Sequence, residues 1–473
     1  MKFYSVEDCN KLTNVEVRKL YRDHVSPYIE EIFGSFSAGS VEIDYAEGVY
    51  IYTRDGRRIL DAGGGIGVLN LGHNYPDILQ ARIKYQQEKR MEVHKTMFSP
   101  YLAVLSHNIA QILPDDLNYP YFCNSGAEAV EGAIKLAYKA FNGERAKLLH
   151  SNVSFHGKLL GSGSISHSKE VYFKFPGILD TDSFEYGSIE SIKGLVGKYR
   201  KENNESDVYS IIIEPYSASS SKGCSNEFLH ELRELCDKEK IVLIFDEIYT
   251  GWCKTGNYFY FMDCDIVPDI LTTSKSLGGG KSSISAYVAR ERTLLKAYGN
   301  LRDATLHSTT YNGFGEECVT AITAINAIVK EDLVSKSRHI EELVKSRMRE
   351  LLEKFPNQLE EYRGIGCMHS IYLKNKGEMV GKLLSRLPIS LTKDERFLPK
   401  LLVASLSDWL FRKHNIYILF GTSQDTPLAF TPSPIMKDGE VNYFFDSLES
   451  SLEVGIWEIS FKFAIRKFAK FFI

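Results

Sequence analysis

Nowhere in the 473 residues do apolar side chains run uninterrupted for the roughly 18 positions that a membrane-crossing helix needs, so the sequence predicts a soluble protein. An excess of one charge is missing as well. The 57 basic and 61 acidic residues leave a formal charge of -4, which argues against a polycationic nucleic-acid binder and against a membrane-seeking surface. No internal repeat or low-complexity segment is present, and Lys201 to Asp207 is the one obviously polar loop of any length. Paired cysteines are also missing. The eight that occur (Cys9, Cys123, Cys224, Cys236, Cys253, Cys264, Cys318, Cys367) are scattered, with no C-x-x-C pair and no secretory leader before them. Reduced thiols in the cytoplasm are expected, and a bound metal is not. Cys123 and Cys236 sit in apolar surroundings and read as small hydrophobes.

What is present is enough chain to bury a large core, at a length that favours two or three packed domains over one. Small molecules are the expected partners. The end of the chain, Phe461 to Ile473, interleaves phenylalanines with Lys462, Arg466, Lys467 and Lys470. A basic aromatic helix of this kind can lie on an anionic membrane. The expected reading is the plainer one, a last helix docking its phenylalanines on the core.

Strand-like and helix-like patterns alternate through the middle of the chain: Ile211 to Glu214, then a helical stretch from Glu227 to Lys238, then the apolar run Ile241 to Phe245. Such alternation predicts an α/β fold whose central sheet is mostly parallel and covered by helices. Ligands of open sheets sit beyond the carboxyl ends of the strands, where Glu214 and Asp246 terminate their runs. Both acids are therefore expected at one crevice. Val49 to Tyr52 and Ile59 to Leu60, joined by Arg54-Asp55-Gly56-Arg57, read as a hairpin outside that sheet. From about Thr320 the pattern changes to a long helical stretch, Ala321 to Phe355, followed by a short strand at Met368 to Leu373. The expected division is an N-terminal segment 1–75 packing with the small domain, a large domain 76–319 and a small α+β domain 320–473.

Three motifs carry chemistry. Asn124-Ser125-Gly126-Ala127-Glu128-Ala129 leads into a helix, and the free N–H groups and dipole of a helix start suit a phosphate. Alone, Ser125 reads more readily as an ordinary N-cap. Ile241 to Phe245 then delivers Asp246 at the end of a strand buried on both faces, where a carboxylate needs a partner. A protonated pyridine nitrogen would supply one, with an attraction of roughly 4 kcal/mol at about 4 Å and an effective dielectric near 20. An N-cap aspartate is the alternative. Finally, Asp269 to Ser274 forms a strand ending in Lys275, whose amine could attack an aldehyde and then shuttle a proton. By itself a lysine at a strand end is usually solvated. Gly278-Gly279-Gly280-Lys281-Ser282 imitates a P-loop, but the first required glycine falls on Lys275, and Gly63 to Gly67 does not complete a dinucleotide fingerprint.

Taken together, Asn124 to Lys135, Glu214-Pro215, Asp246 to Gly256 and Pro268 to Gly280 resemble the class III aminotransferases, from about Gly48 to Ile328 and more weakly beyond. Within the family the likeness is greatest to enzymes acting on diamines such as putrescine or ornithine. The resemblance implies a fold type I enzyme using pyridoxal 5'-phosphate as a homodimer with a shared active site. It makes Lys275 the Schiff-base lysine, Asp246 the partner of the ring nitrogen, and Ser125, Gly126 and Ala127 the phosphate cradle. Phe155 takes the place of the ring that stacks on the cofactor, and Thr310 that of a threonine reaching the neighbouring subunit's phosphate. His156 is either a polar pocket residue or a loop histidine.

Three positions depart from the pattern. Tyr249 stands where the family usually has a glutamine near the cofactor's ring oxygen, a place a phenol can also fill. Phe314-Gly315 replaces an Asn-Pro pair. Ala429 stands where an arginine commonly grips a substrate carboxylate or pairs with the glutamate matching Glu214. Two consequences stay open: Glu214 is free to attract a substrate ammonium, or Lys222 or another cation substitutes for the arginine. The expected function is transfer of an amino group between an amine or amino-acid donor and an aldehyde or ketone acceptor. The rivals are an epimerase, aminomutase or lyase on the same scaffold, and a non-catalytic relative.

Overall fold

A computed structural model describes residues 3–166, 177–374, 397–421 and 426–468. Strands β1 (Ile43–Glu47), β2 (Tyr50–Thr53) and β3 (Arg58–Asp61) form an antiparallel meander. The expected hairpin is its second turn. Gly56 takes a positive φ of 82° there, and its N–H donates to the carbonyl of Thr53 at 2.9 Å.

Seven strands build the central sheet: β4 (Leu117–Cys123), β5 (Lys147–Ser151), β6 (Thr181–Phe184), β7 (Val208–Ile213), β8 (Val242–Asp246), β9 (Ile270–Thr273) and β10 (Ser285–Arg290). Their order is β4-β10-β9-β8-β7-β5-β6, all parallel except β10, which runs antiparallel to both neighbours. β7 and β8 are buried along their whole length, which is why they read as continuous apolar runs. Alternate residues serve opposite faces. Val242 and Ile244 join Val130, Ala133 and Ala137 of the helix Gly126–Lys139, whereas Leu243 and Phe245 join Phe228, Leu229 and Leu232 of the helix Asn226–Glu239.

The expected helix from Ala321 to Phe355 is two helices, Gly315–Lys330 and Leu333–Lys354. Asp332 breaks them by taking a left-handed φ of 48° and capping the second helix through the Ser335 N–H. The residue-320 boundary falls inside the first of these, whose Cys318, Ala321, Ala324 and Ile328 bury in the core of the large sheet. The change to a second core comes between Leu333 and Ile340.

The second core covers a sheet of β11 (Leu359–Ile365), β12 (Met368–Leu373), β14 (Leu419–Phe420) and β15 (Leu428–Phe430), in the order β11-β12-β15-β14. A further strand, β13 (Ile416–Tyr417), runs parallel to β3, so the N-terminal meander and the C-terminal segment share one sheet. Val49, Leu60 and Ala62 accordingly bury beside Leu406, Ile416 and Phe444. The last helix, Ile456–Phe468, docks through Ile456 and Ile459, and of its phenylalanines Phe463 lies partly buried with its ring 6.4 Å from that of Phe36, whereas Phe461 is 66% exposed. The rest of that tail, residues 469–473, lies outside the described residues. No described helix is long and apolar enough to cross a membrane.

Candidate active site

A cavity of about 840 Å³ opens at the carboxyl ends of β7, β8 and β9, against the start of the helix Gly126–Lys139. Its wall includes Ser125, Gly126, Ala127, Phe155, Glu214, Asp246, Tyr249 and Lys275. Thr310 is exposed and lies outside the cavity of its own chain.

Asp246 ends β8 beside Thr272 of β9, the two being register partners. The Thr272 hydroxyl donates to Oδ1 at 2.9 Å, as does the Ile248 N–H at 3.1 Å. Oδ2 lies 2.7 Å from Nδ1 of His156, whose Nε2 is buried without a hydrogen-bond partner. His156 is therefore a pocket residue, which decides between its two sequence readings. Glu247 turns away and accepts from the Thr250 hydroxyl and the Tyr260 and Phe261 N–H groups.

Lys275 follows β9 as the first residue of the short turn Lys275–Gly278, with a left-handed φ of 49°. Such a backbone costs a non-glycine residue about 1–3 kcal/mol, so the surrounding fold holds it there. The amine makes no ion pair among the described residues and lies 5.1 Å from the centre of the Tyr249 ring. Burial lowers its proton affinity, and the charges of Asp246 and Glu214 offset part of that loss.

At the helix start, the Ser125 side chain accepts the Glu128 N–H at 3.3 Å, so the plain N-cap exists. It leaves the N–H groups of Gly126 and Ala127 in the first turn, where a helix supplies no partner. A Cβ on Gly126 would lie 2.9 Å from Cδ1 of Ile248, so this cradle sits hard against the segment following Asp246.

Glu214 is 4% exposed and accepts the Phe155 N–H at 3.0 Å and the Ala218 N–H at 3.4 Å. Burial pushes its carboxyl up to about 7, with nearby His156 acting in the opposite direction. Ala429 lines the cavity, paired in register with Ser370, and no arginine lines it among the described residues. Lys222 is exposed and does not line the cavity. Burial raises the Tyr249 phenol, and the side chain of Thr431 acts in the opposite direction. Gly315 stands where the resemblance would place a proline, because a Cβ there would overlap the Tyr85 hydroxyl.

Sequence reasoning missed Thr272 and Lys254. Thr272 is betrayed only by the register of β8 against β9. Lys254 is a lysine inside the tight apolar stretch Gly251-Trp252-Cys253, a local oddity that could have drawn notice.

A mostly parallel seven-stranded sheet, with a lysine and an aspartate at neighbouring strand ends and a helix start beside them, defines a fold type I pyridoxal-phosphate enzyme. A sequence model of the class III aminotransferases matches residues 36–452, and the chain belongs to that family of pyridoxal-phosphate-dependent transferases. Solved structures with the same fold include a new transaminase from the marine bacterium Virgibacillus, with a TM-score of 0.79 at 17% identity, covering 94% of this chain and 99% of that one. Ornithine aminotransferase from Toxoplasma gondii ME49 has a TM-score of 0.77 at 20% identity, covering 96% and 99%. Ornithine delta-aminotransferase from Plasmodium falciparum has a TM-score of 0.71 at 19% identity, covering 95% and 99%.

The residues present fit pyridoxal phosphate. A helix start offers N–H donors to a phosphate, and a buried carboxylate awaits a cation. The amine of Lys275 opens on the same cavity.

Proposed function

We propose that this chain transfers an amino group from an amine donor to an aldehyde or ketone acceptor, with Lys275 carrying the cofactor. When bound, the cofactor supplies an electron sink that eases removal of a proton from the carbon bearing the amino group. Asp246, held in place by its bonds to Thr272 and His156, would keep the ring nitrogen protonated. Ser125, Gly126 and Ala127 would hold the cofactor's phosphate, with Phe155 offering an aromatic face and Tyr249 a phenol to its ring. The Lys275 amine would be the group that accepts and returns that proton, a task eased by the burial that lowers its affinity.

The observation that carries this reading is the convergence of Lys275, Asp246 and the start of the helix Gly126–Lys139 on one cavity. The test is the absorption spectrum of the purified protein, with and without a panel of diamines and amino acids, beside Lys275→Ala. A band near the visible edge that one donor class bleaches and the variant lacks is the expected result. No band after addition of pyridoxal phosphate would sink it. Consumption of a carbonyl acceptor separates amino transfer from epimerase, aminomutase or lyase chemistry, none of which needs one.

For the donor, Ala429 offers no fork for a carboxylate, while Glu214 makes no ion pair among the described residues and accepts only backbone N–H groups. These favour an amine with a second ammonium group over a carboxylate-bearing substrate. The working unit we propose is a homodimer in which Thr310 serves the neighbouring chain's phosphate, consistent with its exposed position. A cytoplasmic setting remains an expectation from the unpaired cysteines.

A further inference from the structure

Lys254 is 1% exposed, and no carboxylate pairs with it among the described residues. An ammonium in that setting is costly unless its protons find acceptors. Its Nζ has two: Oγ of Ser276 at 2.9 Å and Oδ1 of Asn70 at 3.3 Å. Neither gives a proton back. The Ser276 hydroxyl donates to the carbonyls of Gly67 at 3.1 Å and Val68 at 3.2 Å, and the Asn70 amide donates to the carbonyl of Trp252. Two acceptors match the two N–H bonds of a neutral amine, whereas an ammonium would leave a third unmet.

The other titratable groups facing Lys254 are the thiols of Cys253 and Cys367, both pushed up to about 12 by burial and so uncharged, and Lys275. Burial, then the charge of Lys275, pulls Lys254 down to about 7. Lys275 is also a near neighbour in structure. Ser276 follows it directly in the turn Lys275–Gly278. A Cβ on Gly67 would lie 3.1 Å from Cε2 of Tyr249 and 3.4 Å from Cε of Lys254, and the Lys275 amine faces that same Tyr249 ring.

We propose that Lys254 is a positioning residue for Lys275: it anchors the turn through Ser276, and the two amines share a single positive charge. While the nitrogen of Lys275 is charged, Lys254 stays neutral. When that nitrogen becomes neutral, the repulsion vanishes and Lys254 takes up a proton from solvent. The pair then keeps its single charge as Lys275 changes state.

Two measurements test this. The first needs no cofactor: unfolding free energy is followed against pH for the wild type, Lys254→Met, Lys275→Met and the double variant. A lysine whose folded affinity is depressed is more protonated in the unfolded chain between its folded and unfolded values. The stability difference between wild type and Lys254→Met therefore rises with pH from about 7 towards the ordinary lysine range. In the Lys275→Met background that rise should begin about one pH unit higher. Equal onsets in the two backgrounds would overturn the shared charge.

The second measurement rests on Lys275 being the cofactor-bearing residue. The visible absorption of the holoenzyme is titrated with pH in the wild type, Lys254→Met and Lys254→Arg. The permanent charge of arginine should lower the midpoint and methionine should raise it, about one unit apart, with the wild type between them. A band that titrates identically in all three sinks the proposal. Absence of any band refutes the reading of Lys275 and leaves the stability cycle to decide on Lys254.

Discussion

Glu214 accepts two backbone N–H groups and faces a wall in which Ala429 replaces an arginine. Because burial lifts its carboxyl to about 7, its negative charge is lost as pH falls through neutrality. The KM of a diamine, divided by that of a matched monoamine, should therefore rise about tenfold from pH 8 to pH 6 and stay flat in Glu214→Gln. A ratio that ignores pH in the wild type would remove Glu214 from donor recognition. At this scale the sequence was readable wherever a functional side chain closes a strand pattern, as Asp246 and Lys275 do. It was opaque where function depends on register or on packing from elsewhere. Thr272 meets Asp246 only through strand pairing, and Lys254 meets Asn70 across most of the large domain's sequence.

Among elements, the loop Phe155-His156-Gly157 ties the helix start to the strand ends. Gly157 has a φ of 122°, and a Cβ there would lie 2.7 Å from Cβ of Ala127 and 2.9 Å from Oγ of Ser162. Gly157→Ala should cost about 1–3 kcal/mol of stability, seen as a lower Tm, and should weaken cofactor binding measured by fluorescence titration. Unchanged binding would mean that the cradle is not seated by this loop. The continuous apolar runs of β7 and β8 were plain in the sequence because both faces are buried. The break at Asp332 was not, since Lys330-Glu331-Asp332 contains neither glycine nor proline to mark it and only the left-handed turn interrupts the helix. That break decides which core each helix joins.

For the whole molecule, the exposed apolar side chains are concentrated in part near Thr310: Met97, Phe98, Leu301, Leu306 and Tyr311 are each at least half exposed. Lys95 bonds the carbonyl of Thr309, so the two segments lie together. Apolar area of this kind is usually covered by a partner. Phe98→Asp combined with Leu301→Asp should convert a two-chain particle to one chain in sedimentation and reduce cofactor affinity. Thr310→Val should reduce affinity alone. A wild type that sediments as one chain would remove the shared site.

The pairing of β3 with β13 has a consequence for synthesis. The Leu60 N–H donates to the carbonyl of Asn415, and the Ala62 N–H to that of Tyr417. On a ribosome adding about 5–20 residues per second, this edge waits tens of seconds for its partner. The meander thus stays incomplete until a partner strand more than 350 residues further along has been made, and a nascent chain stalled before residue 415 would present an open strand edge to chaperones or to other unfinished copies.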